Sequence, residues 1–466
     1  GPASGRAVTW PWNLAHDPPP AGIRHAASRL VLDAVGVTVA GARSGAVDRL
    51  LAVGHRTAGS GPATLLDGGG PVAVEDAALG NALLLACLDL DDRHALTGLR
   101  TSAAVLPATL AVAEQVDATG MDLLAAYLAG VEVACRLALA ARGGFAGHGF
   151  DATSLVGPTA SALAVSWLRE LDPHVAQDAV GLAADLASGA VGGPAERLHP
   201  ATGARAALLA VDLAAAGAPG AADAWDGPDG LVANHANLTV TADGLSDGLG
   251  ELWEVTGVAV QRHPCPPAAH GSVDAARSVA ADGLRPDDIA EVVAVVHPEV
   301  IDRLCGPPVD DPVADLAAGE SVGGPGRTPR GDGVGAPPSL AWYVATTLVD
   351  RGLGTDGVRA SRRRRPEVLE LAARVRCEPA EHVHATPAAQ PGHLRLVLRD
   401  GEELVVMAPG GVGGPEHPLS DEELVDRFVV HCGARDGAIE LADRLLRLED
   451  EPSVTELAAA AARLSG

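Results

Sequence analysis

The sequence predicts a mostly α-helical protein with a smaller α+β segment inserted between two helical parts of the chain. Hydrophobic residues make up 47% of the 466 residues but aromatic residues only 2%, so the core must consist of small aliphatic side chains. Such side chains let helix axes approach closely. Apolar residues also recur at helical spacing from about residue 21 to about residue 218, whereas alternating, strand-like runs begin only after about residue 255.

The first half of the chain contains seven segments whose apolar pattern predicts helices, with Asp, Ser, Thr, Gly and Pro marking where they begin and end. They are residues 23–42, 74–90, 103–116, 121–141, 155–171, 174–188 and 202–217. Several of these segments carry apolar residues on every face. This is typical of core helices that are covered by other helices.

The later part of the chain changes character. Residues 289–297 alternate like a strand, and residues 394–407 alternate like a hairpin that turns at Asp400-Gly401. Helices are predicted around these strands and at the end of the chain, at residues 339–351, 366–375, 419–428 and 437–448. The segment therefore reads as α+β, and the chain returns to helix after it.

We expect the C-terminal helices to pack onto the first helical part. This gives a large all-helical domain formed by residues 1–255 and 411–466, and a smaller inserted α+β lid domain formed by residues 256–410. Residues 306–338 are rich in Gly, Pro, Asp and Arg, and we predict that they form a long loop that is either mobile or a lid.

The charge balance restricts both the partners and the chemistry. The chain has 60 acidic residues against 34 basic ones, a net charge of −26, and every basic residue is an arginine. A strongly acidic surface is unfavourable for binding nucleic acid or an anionic membrane, so we expect a small-molecule substrate. The absence of lysine excludes pyridoxal phosphate held as a lysine Schiff base.

The cysteines and the apolar runs bear on cellular location. Six cysteines are scattered without a Cys-x-x-Cys pair, which is typical of reduced cytosolic thiols. No uncharged run exceeds 17 residues, so no membrane span is predicted. The first residues lack the basic and apolar succession of a signal peptide. We therefore expect a cytoplasmic protein.

Several short motifs follow one another along roughly residues 20–445. They are the early helix RLVLDAVGVTVAGA, Asn81 with the acidic cluster Asp89-Leu90-Asp91-Asp92, Ser102-Ala-Ala-Val-Leu-Pro107, Gly149-Phe150-Asp151, Glu196-Arg197-Leu198-His199, His263-Pro264-Cys265 with His270 and Asp274, Ser339-Leu340-Ala341-Trp342, and Pro418-Leu419-Ser420-Asp421. As an ordered set they resemble the MmgE/PrpD family, which includes 2-methylcitrate dehydratase, cis-aconitate decarboxylase and iminodisuccinate epimerase.

The resemblance implies both a fold and a chemistry. The fold is a helical domain formed by both chain ends, an α/β lid domain, a cleft between them and a homodimer. The chemistry is proton removal next to a carboxylate or carbonyl, followed by loss of water or carbon dioxide or by reprotonation. Such chemistry needs a base that titrates near the working pH and cations that hold the developing enediolate. The resemblance implies no metal or organic cofactor.

Several basic residues of the family pattern are replaced in this sequence. The histidine before the Ala-Val-Leu-Pro stretch is Arg100, the histidine of Gly-Phe-His is Asp151, and the lysine of Lys-x-x-His is Glu196. The lysine three residues before Pro264 is Gln261. Exchanging a cation for an anion changes the interaction with a substrate carboxylate by about 1–4 kcal/mol per unit of charge at ~4 Å. The sequence therefore predicts a specialised metabolite and not a citrate-type tricarboxylate.

Four residues are candidates for acid–base catalysis, because carboxylates and imidazoles suit proton transfer. They are Asp89, His94, Asp151 and His199. Each has a structural alternative. The carboxylates of the acidic cluster can cap a helix end, Asp151 can be the N-cap of the following helix, and His199 can make a structural hydrogen bond.

Seven further residues are candidates for substrate binding. They are Arg93, Arg100, Glu196, Gln261, His270, Trp342 and Tyr343. The arginines among them, together with Arg197 and Arg262, can hold one carboxylate or carbonyl by bidentate pairing. A salt bridge within the protein is the alternative for Arg100.

The histidines near Cys265 do not predict a zinc site. Two prolines, Pro266 and Pro267, stand between Cys265 and His270, and a fourth ligand beside His263, Cys265 and His270 is lacking. We expect no metal.

Three functions remain open at this level. The sequence favours a cofactor-independent lyase or isomerase that removes or transfers a proton next to a carbonyl or carboxylate. One alternative is a cyclase or condensation catalyst that uses its pocket mainly for shape, so that Trp342 matters more than Asp151. The other alternative is a non-catalytic binding homologue.

Overall fold

The computed structural model describes residues 3–191, 196–239, 242–305, 339–355 and 365–466. The chain divides into two compact units. Unit 1 comprises Gly1–Cys87, Asp91–Val260 and Leu419–Gly466, and unit 2 comprises Leu88–Leu90 and Gln261–Pro418. The predicted loop 306–338 lies outside the described residues.

The described part of the chain is mostly helical. In chain order the helices are α1 (Ala3–Thr9), α2 (Ala21–Ser44), α3 (Asp48–Leu51), α4 (Val74–Ala86), α5 (Thr101–Gln115), α6 (Gly120–Ala140), α7 (Gly144–Gly147), α8 (Ala152–Leu168), α9 (Pro173–Asp185), α10 (His199–Ala215), α11 (Leu231–Ala236), α12 (Ala242–Ser246), α13 (His270–Ala281), α14 (Ile301–Leu304), α15 (Leu340–Asp350), α16 (Pro366–Ala372), α17 (Asp421–His431), α18 (Ala438–Leu446) and α19 (Val454–Ser465). The strands are β1 (Ala63–Leu65), β2 (Gly70–Val72), β3 (Arg93–His94), β4 (Val258–Ala259), β5 (Ile289–Val296), β6 (Val375–Pro379), β7 (Gly392–Leu398) and β8 (Glu403–Ala408).

Unit 1 is built around α8, which packs against α5, α6, α9 and α10. Small side chains permit this packing, because α4, α5, α6 and α8 are Ala-rich and buried along nearly their whole length. Gly41 shows how close the helices come, since a Cβ added there would lie 2.1 Å from the carbonyl oxygen of Leu84. The prediction of close-packed core helices is confirmed.

The two ends of the chain meet in unit 1. Helix α2 packs against α17, α18 and α19, which come from the last part of the chain. The predicted mostly helical fold with a small sheet is thus confirmed. Unit 1 is nevertheless not purely helical, because β1 pairs with β2 and β3 with β4 in two short antiparallel ladders.

Unit 2 contains a four-stranded sheet in the order β6-β5-β7-β8. Strand β5 is parallel to β6 and antiparallel to β7, and β7 forms a hairpin with β8. The predicted hairpin turn at Asp400-Gly401 is confirmed, because Gly401 takes the left-handed φ of 91° that such tight turns need. Helices α13 and α15 pack together, and α13 also covers β7 and β8.

Several predicted helices end a few residues earlier in the structure than in the sequence pattern, for example 155–171 at Leu168 and 174–188 at Asp185, and two further cases show why. The segment predicted as 74–90 ends at Ala86, and Asp89 then takes a left-handed φ of 58°, which an α-helix cannot contain. The segment predicted as 366–375 ends at Ala372 and continues as the strand β6. Apolar periodicity alone does not separate a helix from a short strand that follows it directly.

One described helix is long and apolar enough to meet the criteria for a membrane span. This is α6, and 89% of its most apolar window is buried inside the protein. Such burial is typical of a core helix, which matches the prediction for residues 121–141.

Candidate active site

Four helices of unit 1 form a ring, in which α4 contacts α5, α5 contacts α8, α8 contacts α10 and α10 contacts α4. The N-termini of α5, α8 and α10 lie together with the C-terminus of α4, and polar contacts join them. For example, the backbone N–H of Arg100, at the N-cap of α5, donates to Thr153 Oγ1 in the first turn of α8 at 3.2 Å. Most of the candidates in unit 1 lie in this region.

Asp151 is the N-cap of α8. Its carboxylate accepts hydrogen bonds from the backbone N–H groups of Thr153 at 3.3 Å and Ser154 at 3.0 Å. Aspartate is preferred at this position because it satisfies free N–H groups of the first turn. Asp151 is therefore a helix cap, as the structural alternative predicted. Its carboxylate also makes a further contact.

The same carboxylate also holds His199. Asp151 Oδ2 lies 3.1 Å from His199 Nδ1, and the two side chains are 14% and 11% exposed. His199 is the first residue of α10, so the contact between α8 and α10 brings the pair together. Within the described residues, His199 Nε2 has no hydrogen-bond partner.

The segment before residue 192 closes one side of this pair. The backbone N–H of Asp151 donates to the carbonyl of Gly189 at 3.1 Å. A Cβ at Gly189 would lie 2.9 Å from His199 Cε1 and 2.4 Å from Ser154 Oγ. Gly189 thus lets the backbone lie against the imidazole, and no larger residue fits there without moving a neighbour.

Two arginines that were candidate substrate ligands are engaged at the C-terminus of α4. Arg100 binds Asp91 in a bidentate manner, through Nε and Nη2 at 2.6 Å each, and Nη2 also donates to the carbonyl of Ala86 at 3.1 Å. Arg197 Nη1 donates to the carbonyl of Cys87 at 3.0 Å. Cations at this position satisfy free carbonyls and the helix dipole. The structure therefore gives Arg100 the internal salt bridge, and no contact here supports its prediction as a substrate ligand.

Asp92 caps α5. Its carboxylate accepts the backbone N–H of Ser102 at 2.8 Å and the hydroxyls of Thr101 and Ser102. Ser102 Oγ in turn lies 2.6 Å from Tyr127 Oη. Burial raises the pKa of Asp92 to about 7, although these hydrogen bonds act to lower it. The helix-capping alternative for the acidic cluster is realised at this residue.

His94 is a buried structural residue. Its Nδ1 lies 2.9 Å from Thr97 Oγ1, and its Nε2 lies 3.3 Å from Glu254 Oε2. The ring is 1% exposed, and both ring nitrogens are occupied, so the geometry gives no support to the predicted catalytic role. Arg93 precedes it in β3 and pairs with Ala259 in β4.

Unit 2 contains a second group of the predicted residues. Asp89 lies near Cys265, where its negative charge contributes, after burial, to raising the pKa of that thiol. His263 Nε2 lies 2.8 Å from Asp274 Oδ1, and Arg262 Nη1 lies 3.0 Å from Asp274 Oδ2. Burial acts to raise the pKa of Asp274, but the hydrogen bond from His263 and the two cationic neighbours outweigh it and hold the pKa below its usual value.

His270 stands beside this group at the start of α13. Its ring packs edge-to-face on His263 at 5.3 Å between centroids, and its Nε2 lies 3.2 Å from the carbonyl of Cys265. Burial, followed by the charge of His263, lowers the pKa of His270 to about 3. His270 therefore has the character of a neutral structural histidine.

The positions of the remaining candidates are explained by their place in the fold. Trp342 and Tyr343 lie on α15 in the hydrophobic core of unit 2, 4% and 1% exposed, so core packing accounts for them and nothing supports a substrate contact. Gln261 is buried at the start of unit 2, and Glu196 begins a 3-10 turn that leads into α10. Within the described residues, no cluster of His, Cys, Asp and Glu could hold a metal ion.

Two residues that support the pair, Gly189 and Ser154, were not among the candidates drawn from the sequence. Gly189 stands in Ala187-Ser188-Gly189, a further stretch that resembles the family pattern. A glycine shortly after the end of a helix, here four residues beyond Asp185 at the end of α9, is a signal of close backbone approach, but the sequence does not show which side chain it meets.

Comparison with known proteins identifies the family. The MmgE/PrpD N-terminal domain matches residues 7–239, and the MmgE/PrpD C-terminal domain matches residues 263–447. The chain belongs to the MmgE/PrpD family. The resemblance drawn from the ordered motifs is thereby confirmed.

Cis-aconitate decarboxylases are among the relatives of this MmgE/PrpD protein. One from Aspergillus terreus is 25% identical over 455 residues, which cover 91% of this chain and 88% of the relative. Another, from A. terreus strain NIH 2624, is 24% identical over 479 residues and covers 96% and 93%. The cis-aconitate decarboxylase-like protein oryM of Aspergillus oryzae is 25% identical over 385 residues and covers 76% and 74%. Decarboxylases are lyases, so these relatives support a lyase-type MmgE/PrpD activity.

Proposed function

We propose that this protein is a cofactor-independent lyase or isomerase in which His199 and Asp151 transfer a proton next to a carbonyl or carboxylate. One observation carries the proposal: His199 Nδ1 is held by Asp151 Oδ2 at 3.1 Å, while Nε2 has no partner among the described residues. A carboxylate that orients an imidazole and leaves its second nitrogen available is a common arrangement for general acid–base catalysis.

The roles of the two residues follow from their hydrogen bonds. The ionised Asp151 only accepts, so Nδ1 must carry a hydrogen and Nε2 the lone pair. The two backbone N–H groups of α8 hold the carboxylate in place, and the N-terminus of a helix favours its negative charge. When Nε2 takes a proton from carbon, Asp151 stabilises the resulting imidazolium.

The proton can then return by two routes. Reprotonation of the enediolate on its other face, or on a neighbouring carbon, gives an isomer. Loss of a hydroxyl group from the enediolate gives a dehydrated lyase product, with the imidazolium supplying the proton with which the oxygen leaves as water. A decarboxylation starts instead from the imidazolium: the C–CO2 bond breaks, its electron pair passes into the adjacent double bond or carbonyl, the imidazolium protonates the far end of that group, and carbon dioxide leaves. The decarboxylase relatives favour the lyase route.

The charges of unit 1 favour a substrate with few carboxylates. Two of the arginines, Arg100 and Arg197, are bound to carbonyls at the end of α4, and Asp151 and Glu196 replace basic residues of the family pattern. Each such replacement weakens binding of a substrate carboxylate by about 1–4 kcal/mol at ~4 Å. We therefore propose a specialised metabolite with a single acid or carbonyl group in preference to a citrate-type tricarboxylate.

The alternative functions gain no specific support. A cyclase that selects its substrate by shape was linked to Trp342, and this side chain is buried in the core of unit 2.

We also propose that the protein works in the cytoplasm as a homodimer, without nucleic acid or membrane, on the basis of its acidic composition and its family. Light scattering after size exclusion tests the dimer.

The proposal is tested by proton exchange and by carbon dioxide release. The whole 466-residue chain is incubated in D2O with a panel of monocarboxylates, dicarboxylates, β-keto acids and cis-aconitate. Proton NMR follows the loss of C–H signals next to the carbonyl, and a coupled assay follows carbon dioxide. We expect turnover of at least one mono- or β-keto acid at a higher kcat/KM than that of cis-aconitate.

Histidine variants assign the turnover to the proposed pair. His199→Gln is expected to reduce kcat by about 10²–10⁴-fold, the usual contribution of a general base. His174→Gln is the matched control, because His174 is an exposed histidine at the start of α9, and it should leave kcat unchanged. Full activity of folded His199→Gln would overturn the proposal, and binding without turnover across the panel would favour the non-catalytic homologue.

A further inference from the structure

The six cysteines differ in their accessibility. Cys87, Cys135, Cys265 and Cys432 are buried, whereas Cys305 and Cys377 are half-buried. All six are free thiols in the structure. The two accessible cysteines both belong to unit 2 and lie 72 positions apart in the sequence.

The fold places these two cysteines on elements that touch. Cys305 is the C-cap of α14, Cys377 is the central residue of β6, and α14 packs against β6. Both side chains also pack against the hydrophobic core of unit 2. Neither position depends on residues outside the described part of the chain.

Strand alternation fixes which way Cys377 faces. Its neighbours Arg376 and Glu378 form ion pairs with Glu291 of β5 and Arg395 of β7. Successive side chains of a strand point to opposite faces, so these ion pairs occupy the outer face and Cys377 faces the core side, where α14 lies.

The two thiols lie close enough to interact. The end of α14 packs against β6, and both cysteine side chains pack against the same core. Their mutual interaction holds the pKa of Cys377 below the usual value of a thiol and raises that of Cys305. Because the thiolate is the reactive form of cysteine, we assign the first attack to Cys377 and the resolving step to Cys305. A disulfide needs the two Cα atoms within about 7 Å of each other, which the packing of α14 on β6 permits.

We propose that Cys305 and Cys377 are a reversible oxidation site, in which peroxide converts the two thiols into an intramolecular disulfide that joins the end of α14 to β6. This goes beyond the proposed lyase activity and does not depend on it. Reduced cytosolic proteins form disulfides mainly in such transient, redox-sensing pairs.

The reaction balances with hydrogen peroxide as the oxidant. The Cys377 thiolate attacks one peroxide oxygen, the O–O bond breaks, and the product is a sulfenic acid and hydroxide, which takes up the released proton as water. The Cys305 sulfur then attacks the Cys377 sulfur, the S–O bond breaks, and a second water leaves. Two thiols are oxidised, one peroxide is reduced, and a dithiol restores the thiols.

The disulfide would also constrain the unfolded chain. It closes a loop that contains residues 306–376, and a cross-link across a long loop lowers the entropy of the unfolded state. The melting temperature of the oxidised protein should therefore exceed that of the reduced protein, and the difference should vanish after treatment with dithiothreitol.

Peptide mapping tests the pair in the whole 466-residue chain. The reduced protein is treated with hydrogen peroxide, alkylated with N-ethylmaleimide and digested with trypsin, which cleaves this lysine-free chain only after arginine. We expect a linked pair of the peptides 304–327 and 377–395, and a loss of two alkylated thiols. In a mixture of ¹⁴N- and ¹⁵N-labelled protein, the linked peptides should carry the same label.

Single substitutions complete the test. Cys305→Ser and Cys377→Ser should each abolish the linked peptides and the rise in melting temperature, and Cys305→Ala and Cys377→Ala repeat the test if a serine variant fails to fold. Cys432→Ser, a buried cysteine in unit 1, should retain both. Oxidation of Cys377 to sulfinic acid with Cys305 still alkylated, mixed-label linked peptides, or full alkylation of both thiols after peroxide would each overturn the proposal.

Discussion

Two of the histidine–carboxylate pairs described in unit 1 have similar spacing but different surroundings. His199 Nδ1 lies 3.1 Å from Asp151 Oδ2, and His94 Nε2 lies 3.3 Å from Glu254 Oε2. The second nitrogen of His94 is bound by Thr97, whereas that of His199 has no partner among the described residues. The imidazole of His94 is 1% exposed and that of His199 is 11% exposed.

The difference shows what separates a structural pair from a candidate catalytic one. A carboxylate beside an imidazole is compatible with both roles, so the pair alone carries little information. The second ring nitrogen decides, because proton transfer needs a nitrogen that can reach a substrate. Experiments that change the carboxylate, the space around the ring or the ring itself should therefore affect the two pairs differently.

The largest expected effect is at Asp151. Asp151→Asn keeps a good N-cap for α8 but loses the charge that fixes the hydrogen on His199 Nδ1. We expect kcat to fall by about 10²–10⁴-fold with little change in the free energy of unfolding. Steady-state kinetics on a substrate from the panel and urea unfolding measure the two quantities.

Asp151→Ala separates the two roles of this carboxylate. It should lose the same activity and, in addition, about 0.5–2 kcal/mol of stability through the lost cap. Unchanged kcat in the asparagine variant would contradict the catalytic role and leave Asp151 as a capping residue only.

A smaller effect is expected at Gly189. An added Cβ would lie 2.9 Å from His199 Cε1, so Gly189→Ala should displace the imidazole and lower kcat by up to ~10²-fold, as small misplacements of catalytic groups do. Gly147→Ala is the control, since a Cβ there meets nothing within 4 Å. Equal kinetics of the two variants would show that the packing on His199 does not matter.

Both members of the proposed pair could be named from the sequence, whereas their contact could not. Asp151 and His199 were both candidates, because they stand in family motifs, but their contact depends on the packing of α8 on α10. That packing joins positions 48 residues apart, and no local pattern shows it. Gly189 was missed for the same reason.

Burial explains the candidates that the structure does not support. His94 and Arg100 are polar, so the sequence does not place them in the interior. They are buried because each pairs with a carboxylate, Glu254 or Asp91, and these pairs form only on folding. The sequence predicts Trp342 to line a pocket. In a core of small aliphatic side chains, however, a large aromatic side chain fills space that those residues leave, and this favours its burial. The helices themselves were predicted well, since the 3.6-residue period is local.

The structural pair is expected to show its contribution in stability. His94→Ala removes a buried imidazole together with its bonds to the half-buried Thr97 and Glu254, so the free energy of unfolding should fall by about 1–3 kcal/mol. The hydrogen bond from His94 is also the main cause that lowers the pKa of Glu254. That contribution is present above the ordinary pKa of a glutamate and is lost as the pH falls.

Two measurements check this prediction. Urea unfolding at neutral pH should show the loss of stability, while kcat per folded molecule should remain that of the wild type. A large loss of kcat in a folded His94→Ala protein would mean that the distinction between the two pairs, drawn from the second nitrogen, is wrong.

The smallest effect is expected at Glu114, a buried carboxylate of unit 1 that can be compared with the carboxylates of the two histidine pairs. Glu114 on α5 is 5% exposed, and among the described residues no cation pairs with it. Its Oε1 accepts the backbone N–H of Thr64 at 3.0 Å, and its Oε2 accepts the Thr64 hydroxyl at 2.6 Å. Burial raises its pKa to about 7, although these hydrogen bonds act to lower it.

The sign of its effect on stability follows from that pKa. The folded state binds more protons than the unfolded state between about pH 4.5 and pH 7, so stability falls as the pH rises through this window. Glu114→Gln keeps an acceptor for the Thr64 N–H and removes the titration. We expect its advantage in unfolding free energy over the wild type to grow, on the order of 1 kcal/mol, between pH 5 and pH 8. Asp92 titrates alike in both proteins, so its contribution cancels in this difference. A difference that stays constant across the pH range would show that Glu114 is ionised throughout. A buried carboxylate of this unit would then stay charged without an imidazole or another cation beside it.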